Sequence, residues 1–392
     1  MRTSLKILGF IGWAAALGAA AEKEAPSEAL RYSIVTPKRL DLPSKSWEEL
    51  QFIQADLEGS LFVLRGSPAL EVYRLEGEKL RFVQALEGAT VGVKAGEMWV
   101  EQARLSRAGD RWFLFVQPTT IEVFEGGKRA QTIESHWEVT DLAAGASRLV
   151  VAVSNNEINT STPEGPGLLR PPWIREWDGK RWNTLVEGRY RDEETRPRAS
   201  WHQLDLAAYS ARLAFSPEGQ FWIANAYSPR LRHYSASGVL EDEIVLGDGT
   251  IRWLDAKPEN IAAQQAEIDA ALARGGFSAR VAAPSSAPRE ACRGLAIGRD
   301  GHIYLLAETD QGLALDRYLK GLPTYERVLL GGLNLGAGRP SFVAGRHALL
   351  IGARFGKGGT WELTYEDLAA ADWKSVSGAT RNGIEIETRP AN

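Results

Sequence analysis

The sequence predicts an all-β chain folded as a six-bladed β-propeller of four-stranded antiparallel blades. Three observations carry this. A phrase of apolar strand, loop, aromatic-bearing strand and tight turn returns six times along residues 47–392. The turns are rich in Asp-Gly, Glu-Gly and Ser-Gly pairs, which supply the positive φ that tight hairpins require. No single unit can bury both of its faces, so such units stack on one another or close into a ring.

Residues 1–21 read as an export signal. Arg2 and Lys6 form a basic start, Ile7 to Leu17 is apolar, and Ala19-Ala20-Ala21 supplies the small residues a signal peptidase needs. The apolar run is too short to span a bilayer comfortably, and no later stretch reaches the roughly 20 apolar residues of a membrane helix. The expected location is periplasmic or secreted. No Cys follows the cleavage region, which argues against a lipoprotein anchor. The formal net charge is −4 and becomes more negative without Arg2 and Lys6, which argues against nucleic acid as a partner. Thirteen Trp and 39 Gly suit an all-β domain with many turns.

Residues 22–46 form an N-terminal segment. Either Tyr32-Ser33-Ile34-Val35 within it or the C-terminal Gly383-Ile384-Glu385-Ile386-Glu387 is expected to close the ring, with the N-terminal segment favoured as a partner of blade 6. Blade 1 is read from Leu61–Leu64, Leu70–Gly77 and Leu80–Val83. Blade 2 is read from Trp112–Val116, Ile121–Gly127 and Ala130–Ile133, and blade 3 from Leu149–Val153, Ile174–Gly179 and Trp182–Val186. Blades 4 and 5 are the clearest. Phe221–Asn225, Leu231–Gly238 and Leu240–Leu246 form one; Ile303–Leu306, Leu315–Gly321 and Tyr325–Leu330 form the other. Blade 6 is read from Ala348–Ile351, Thr360–Tyr365 and Trp373–Val376. Alternation as in Glu122-Val123-Phe124 turns one side chain set into a blade interface and the other away. The aromatic ending each third strand is expected as a wedge between blades.

An apolar strand precedes each quoted set, as in Leu213-Ala214-Phe215 and Leu295-Ala296-Ile297, making four strands per blade. The phrases at 213–225 (LAFSPEGQFWIAN) and 295–307 (LAIGRDGHIYLLA) resemble the NHL-type six-bladed propellers. The resemblance implies the fold and no particular activity.

Three long additions interrupt the repeats, at 156–172, 187–209 and 247–291. Loops between second and third strands and connections between blades open on one face of a propeller. The additions therefore gather on a single face, the usual mark of a binding face. Within 247–291, Pro258 and Glu259 start a helix that Gly275-Gly276 ends, with Ile261, Gln265, Ile268 and Leu272 at helical spacing. The 187–209 stretch mixes Arg and acid before Trp201 and His202, a pattern that commonly faces water.

Signatures of chemistry are sparse. The sequence contains no His-Glu-x-x-His, Gly-x-Ser-x-Gly, paired Cys or phosphate loop. His233 and His302 fall inside strands and are expected to be structural. Cys292 lies between Glu290 and Arg293. Arg293 could lower its pKa, but a lone Cys without a His partner reads as a small buried residue. Second strands end at Arg65, Gln117, Asn155, Asn225, Glu308 and Arg354. These residues, with Trp201, His202, Arg230, Arg293 and Arg339, are the candidates for a ligand-binding face. Gluconolactonase- and regucalcin-like propellers hold a divalent cation at the channel mouth, and by resemblance Asn155, Asn225 and Glu308 could bind Ca²⁺. The two Arg in the same ring suit an anionic ligand better. The leading reading is an exported propeller without a cofactor that binds a protein or glycan partner. The alternatives are a Ca²⁺-dependent hydrolase or lyase, and a structural subunit of an envelope assembly.

Overall fold

The computed structural model describes residues 32–40, 50–56, 58–66, 70–77, 79–89, 104–117, 119–135, 138–145, 148–154, 158–159, 167–168, 174–186, 211–225, 230–246, 291–309, 311–319, 325–333, 340–353, 359–376 and 379–381. The expected leader, the 187–209 stretch and the expected helix within 247–291 lie outside the described residues. Two short strands, β1 (Ile34–Val35) and β2 (Lys38–Leu40), precede the first blade.

Six four-stranded antiparallel sheets follow. Blade 1 is β3 (Leu50–Ala55), β4 (Leu61–Gly66), β5 (Leu70–Glu76) and β6 (Lys79–Leu86). Blade 2 is β7 (Arg104–Ala108), β8 (Arg111–Gln117), β9 (Thr120–Glu125) and β10 (Lys128–Glu134). Blade 3 is β11 (Glu138–Ala144), β12 (Leu149–Ser154), β15 (Ile174–Trp177) and β16 (Trp182–Val186). A hairpin of β13 (Ile158–Asn159) and β14 (Gly167–Leu168) lies between its middle strands in sequence. Blade 4 is β17 (Ala211–Phe215), β18 (Phe221–Asn225), β19 (Arg230–Tyr234) and β20 (Leu240–Leu246). Blade 5 is β21 (Ala291–Ile297), β22 (His302–Thr309), β23 (Gly312–Leu319) and β24 (Glu326–Leu330). Blade 6 takes β25 (Pro340–Ala344), β26 (Ala348–Ala353) and β27 (Thr360–Thr364) from the C-terminal part and β2 from the N-terminal part.

Strand β2 is therefore the outermost strand of blade 6, with Arg39 opposite Trp361. The sequence reading placed 373–376 there, and the structure corrects it. A short helix, α1 (Tyr365–Ala370), starts directly after β27. It is held by a reciprocal capping box in which Thr364 Oγ1 accepts from the Asp367 N–H and Asp367 accepts from the Thr364 N–H. The helix carries the chain away, so β28 (Lys374–Ser375) pairs with β24 of blade 5. Strand β1 also joins β24, in parallel, and β29 (Ala379–Arg381) extends blade 4 beside β20.

The first strands of the blades touch in cyclic order, β3, β7, β11, β17, β21, β25 and back to β3, which closes the ring. The core is divided accordingly into one apolar cluster per joint. Second strands are buried on both faces. Trp112 and Leu114 face blade 1, while Phe113 and Phe115 face blade 3. Ile303 and Leu305 face blade 4, while Tyr304 and Leu306 face blade 6. Double burial explains why these strands read as continuous apolar runs. The third-strand aromatics are wedges in blades 2, 4 and 5. Phe124 lies in the joint with blade 1, Tyr234 stacks on Phe221 at 5.3 Å, and Tyr318 lies against Trp222 at 5.7 Å. The joint between blades 6 and 1 is the thinnest, with Leu40, Ile53 and Leu350 as its buried members.

Among the described residues no helix is long and apolar enough to cross a membrane.

Candidate functional site

The two faces of the ring differ. First-to-second-strand turns are short, at 56–60, 109–110, 145–148, 216–220, 298–301 and 345–347. Several are closed by main-chain bonds, such as Gly219 N–H to Ser216 O and Gly301 N–H to Gly298 O. The opposite face carries the connections 87–103, 155–173, 187–210 and 247–290.

On that long-loop side, Arg65 is the next-to-last residue of β4, opposite Glu71, Gln117 ends β8 opposite Thr120, and Asn225 ends β18 opposite Ala211. Antiparallel order puts these three and Glu308 at corresponding ends of second strands. Glu308 accepts from Arg293 Nε at 2.6 Å and also contacts its Nη2. This carboxylate thus already faces a guanidinium. Arg230 is buried, 8% exposed, where its Nη1 meets Glu243 at 3.0 Å, and Arg232 grips the same carboxylate from the other side. Asn155, Trp201, His202, Arg339 and Arg354 lie outside the described residues. His233 is buried against Trp222 at 4.3 Å, and His302 faces Asp300 at 3.2 Å.

The first strands enclose a central channel with a cavity of about 340 Å³. Its wall is tied around the circumference by polar links from blade to blade. Arg107 Nη1 donates to Asp56 at 2.9 Å (blades 2 and 1), and the Ala144 N–H donates to Ser106 Oγ at 2.8 Å (blades 3 and 2). The Leu213 N–H donates to Asp141 Oδ2 at 2.9 Å (blades 4 and 3), and Arg212 Nε donates to the Arg293 carbonyl at 3.2 Å (blades 4 and 5). The Arg346 N–H donates to the Gly59 carbonyl at 2.8 Å (blades 6 and 1). Blades 5 and 6 meet by close approach instead. A Cβ added to Gly294 would lie 2.5 Å from that of Phe342, so only Gly fits there.

Two of the first strands carry β-bulges. The register shifts between Val139 and Asp141 in β11, and between Cys292 and Gly294 in β21. Bulges re-aim side chains and occur at the rims of closed sheets and beside sites. Here they flank β17, whose Arg212 reaches the carbonyl of the bulged Arg293. Cys292 donates to the Gly294 carbonyl at 3.4 Å, and burial pushes its thiol up to about 12 despite the Arg212 charge nearby. The lowered pKa considered from sequence is therefore corrected: desolvation outweighs the cation.

The sequence reading missed Arg107, Asp141 and Arg212. Their signal was present. Each is a charged residue inside a first strand, plainest in Ala211-Arg212-Leu213-Ala214-Phe215, where the rest of the strand is apolar or small.

No protein-family model matches this sequence, and no curated protein does. Among solved structures the chain is similar to a streptogramin B lyase, at 8% identity over 84% of this chain and 96% of that one, with a TM-score of 0.44. It is also similar to a calcium-binding regucalcin of Agrobacterium tumefaciens, at 12% identity over 84% and 94%, with a TM-score of 0.42. A third is the Myceliophteria thermophila Cps50 (Swd1) β-propeller domain, at 11% identity over 84% and 100%, with a TM-score of 0.41. The class is fixed by this chain's own strand pairings: a six-bladed β-propeller.

Proposed function

We propose that the chain is an exported binding protein. Its protein or glycan partner docks on the face that carries the long connections. One observation carries this reading. The connections 155–173, 187–210 and 247–290 leave the ring on one face, over blades 3 to 5, while the opposite face is closed by short hydrogen-bonded turns. Chain added to one face of a repeat array, on a rigid scaffold, is where such folds place recognition. Export is supported by the leader-like composition of residues 1–21.

The test is a variant in which residues 256–276 are replaced by a short Gly/Ser linker. Long surface insertions change stability little, so its thermal unfolding matches that of the parent. Partner capture, scored by cross-linking in an envelope fraction and on a glycan array, is lost. Unchanged capture by the trimmed protein sinks the reading.

A further inference from the structure

Arg212 sits in the wall of the central cavity and is only 8% exposed. Its Nε donates to the Arg293 carbonyl and its Nη1 to the Ala211 carbonyl at 2.9 Å. Both partners are neutral. Among the described residues no carboxylate lies within ion-pair distance of this guanidinium. Of the other charges of the wall, Arg107 meets Asp56 at 2.9 Å and Arg293 meets Glu308, and Arg299 also lines the cavity. Asp141 accepts main-chain N–H groups from Leu142 and Leu213. A buried guanidinium without a counter-charge is strongly unfavourable, and buried charges are ordinarily paired. One that borders a cavity is poised to be paired by a ligand.

We propose that the channel binds a small organic carboxylate on Arg212. The cavity is of the size that holds small molecules. Ile53, Leu105, Leu142, Leu295 and Phe342 also line it. Such walls favour an anion with an apolar body over a fully hydrated inorganic ion, whose water they cannot replace. A planar carboxylate matches the guanidinium fork. The bulge at Arg293 and the Asp141 bond to Leu213 fix the strand on both sides of Arg212, so the cation is held in place before a ligand arrives. This site does not depend on the partner face and stands if that reading fails.

The experiment is a thermal melt and titration calorimetry of the full chain in low-chloride buffer. The probes are sodium benzoate and sodium butyrate, with benzamide as the neutral isostere and sodium phosphate as the inorganic anion. A carboxylate raises the melting temperature saturably, whereas benzamide and phosphate do not. Arg212→Gln, which can still donate to the Arg293 carbonyl, weakens carboxylate binding about tenfold or more. Arg212→Lys retains part of it. If Arg212→Gln fails to fold, the acid–amide contrast in the unaltered protein decides. The proposal is overturned if neither carboxylate binds, if benzamide binds equally, if phosphate alone binds, or if folded Arg212→Gln binds as tightly as the parent.

Discussion

A single carboxylate, Glu243, shows how charge is managed on the face of blade 4 turned toward blade 3, the side of Arg232 and Ile223. Arg230 approaches one of its oxygens at 3.0 Å and Arg232 the other at 2.5 Å, all three nearly out of solvent. On the other face of blade 4, in the joint with blade 5, Arg327 grips Asp316 with two bonds of 2.6 and 2.8 Å, and Tyr318 donates to Asp242 at 2.9 Å. Removing one member of a buried charge set strands the others. Glu243→Gln should therefore lower stability by about 3–5 kcal/mol, read as a drop in the urea midpoint. Replacing Arg230, Arg232 and Glu243 together by Met or Leu should recover most of that loss, because an apolar set of similar volume needs no counter-charge. A loss under about 1 kcal/mol for Glu243→Gln would mean water reaches the cluster.

Asp178 is the opposite case, an exposed carboxylate in the turn between β15 and β16. Bonds from the Arg181 and Lys180 N–H groups and from Asn183 hold its pKa down to about 2. A depressed carboxylate stabilises the folded state at pH above its unfolded value of about 3.9 and loses that contribution as pH falls toward the folded value. In the parent, amide exchange at Lys180 and Arg181 should accelerate between about pH 4 and pH 2 relative to neighbouring turns. Asp178→Asn should flatten this dependence. Equal pH profiles for parent and variant would show that the turn is held by other contacts.

At the scale of elements, the ring is closed by a seam unlike its other joints. Blade 6 is completed by β2, three residues long, and the joint with blade 1 buries Leu40, Ile53 and Leu350. The joints on either side of blade 2 contain large aromatic residues, among them Trp112, Phe113 and Phe115. Less apolar surface removed from water means less stabilisation, so opening begins at the seam. Hydrogen exchange should be fastest in β2 and β3 and slowest in β8 and β22. Leu350→Ala should cost about 2–5 kcal/mol and accelerate exchange across the seam before any other joint. Uniform exchange through all six blades would instead indicate a single cooperative unit.

The elements also show what was legible in the sequence. Second and third strands of blades 4 and 5 were plain because double burial makes Phe221–Asn225 and Ile303–Leu306 unbroken apolar runs beside fixed turn residues. The fate of 373–376 was not legible. It depends on the capping box at Thr364 and Asp367, a local device that outranks strand propensity once it starts a helix. The channel was hidden for another reason. Arg212, Asp141 and Arg107 stand in three different blades, and only the closed ring brings their strands to one cavity.

At the scale of the whole molecule, the terminal segments are spent on three outer edges. Strand β29 covers blade 4 and β1 and β28 cover blade 5, while β2 is itself the outer strand of blade 6. Among the described residues β6, β10, β16 and the three-residue β2, which carries Lys38 and Arg39, have no further strand beside them. An open edge is a template for pairing with another chain unless charge or irregularity blunts it. Strand β10 carries Lys128, Arg129 and Glu134 outward, and the pairing of β15 with β16 is interrupted by a register shift. Strand β6 also has a register shift against β5 and carries Lys79 and Arg81, but it is eight residues long and exposes Phe82 at 55% and Val83 at 46%. Of these edges it is the one that invites pairing with a second copy. Val83→Lys should therefore reduce self-association, measured by sedimentation and light scattering across a concentration series, while leaving stability within about 0.5 kcal/mol of the parent. The same change in the middle of β10, at Gln131, should alter neither quantity, since that edge is already charged. Self-association that survives Val83→Lys would move the contact away from blade 1.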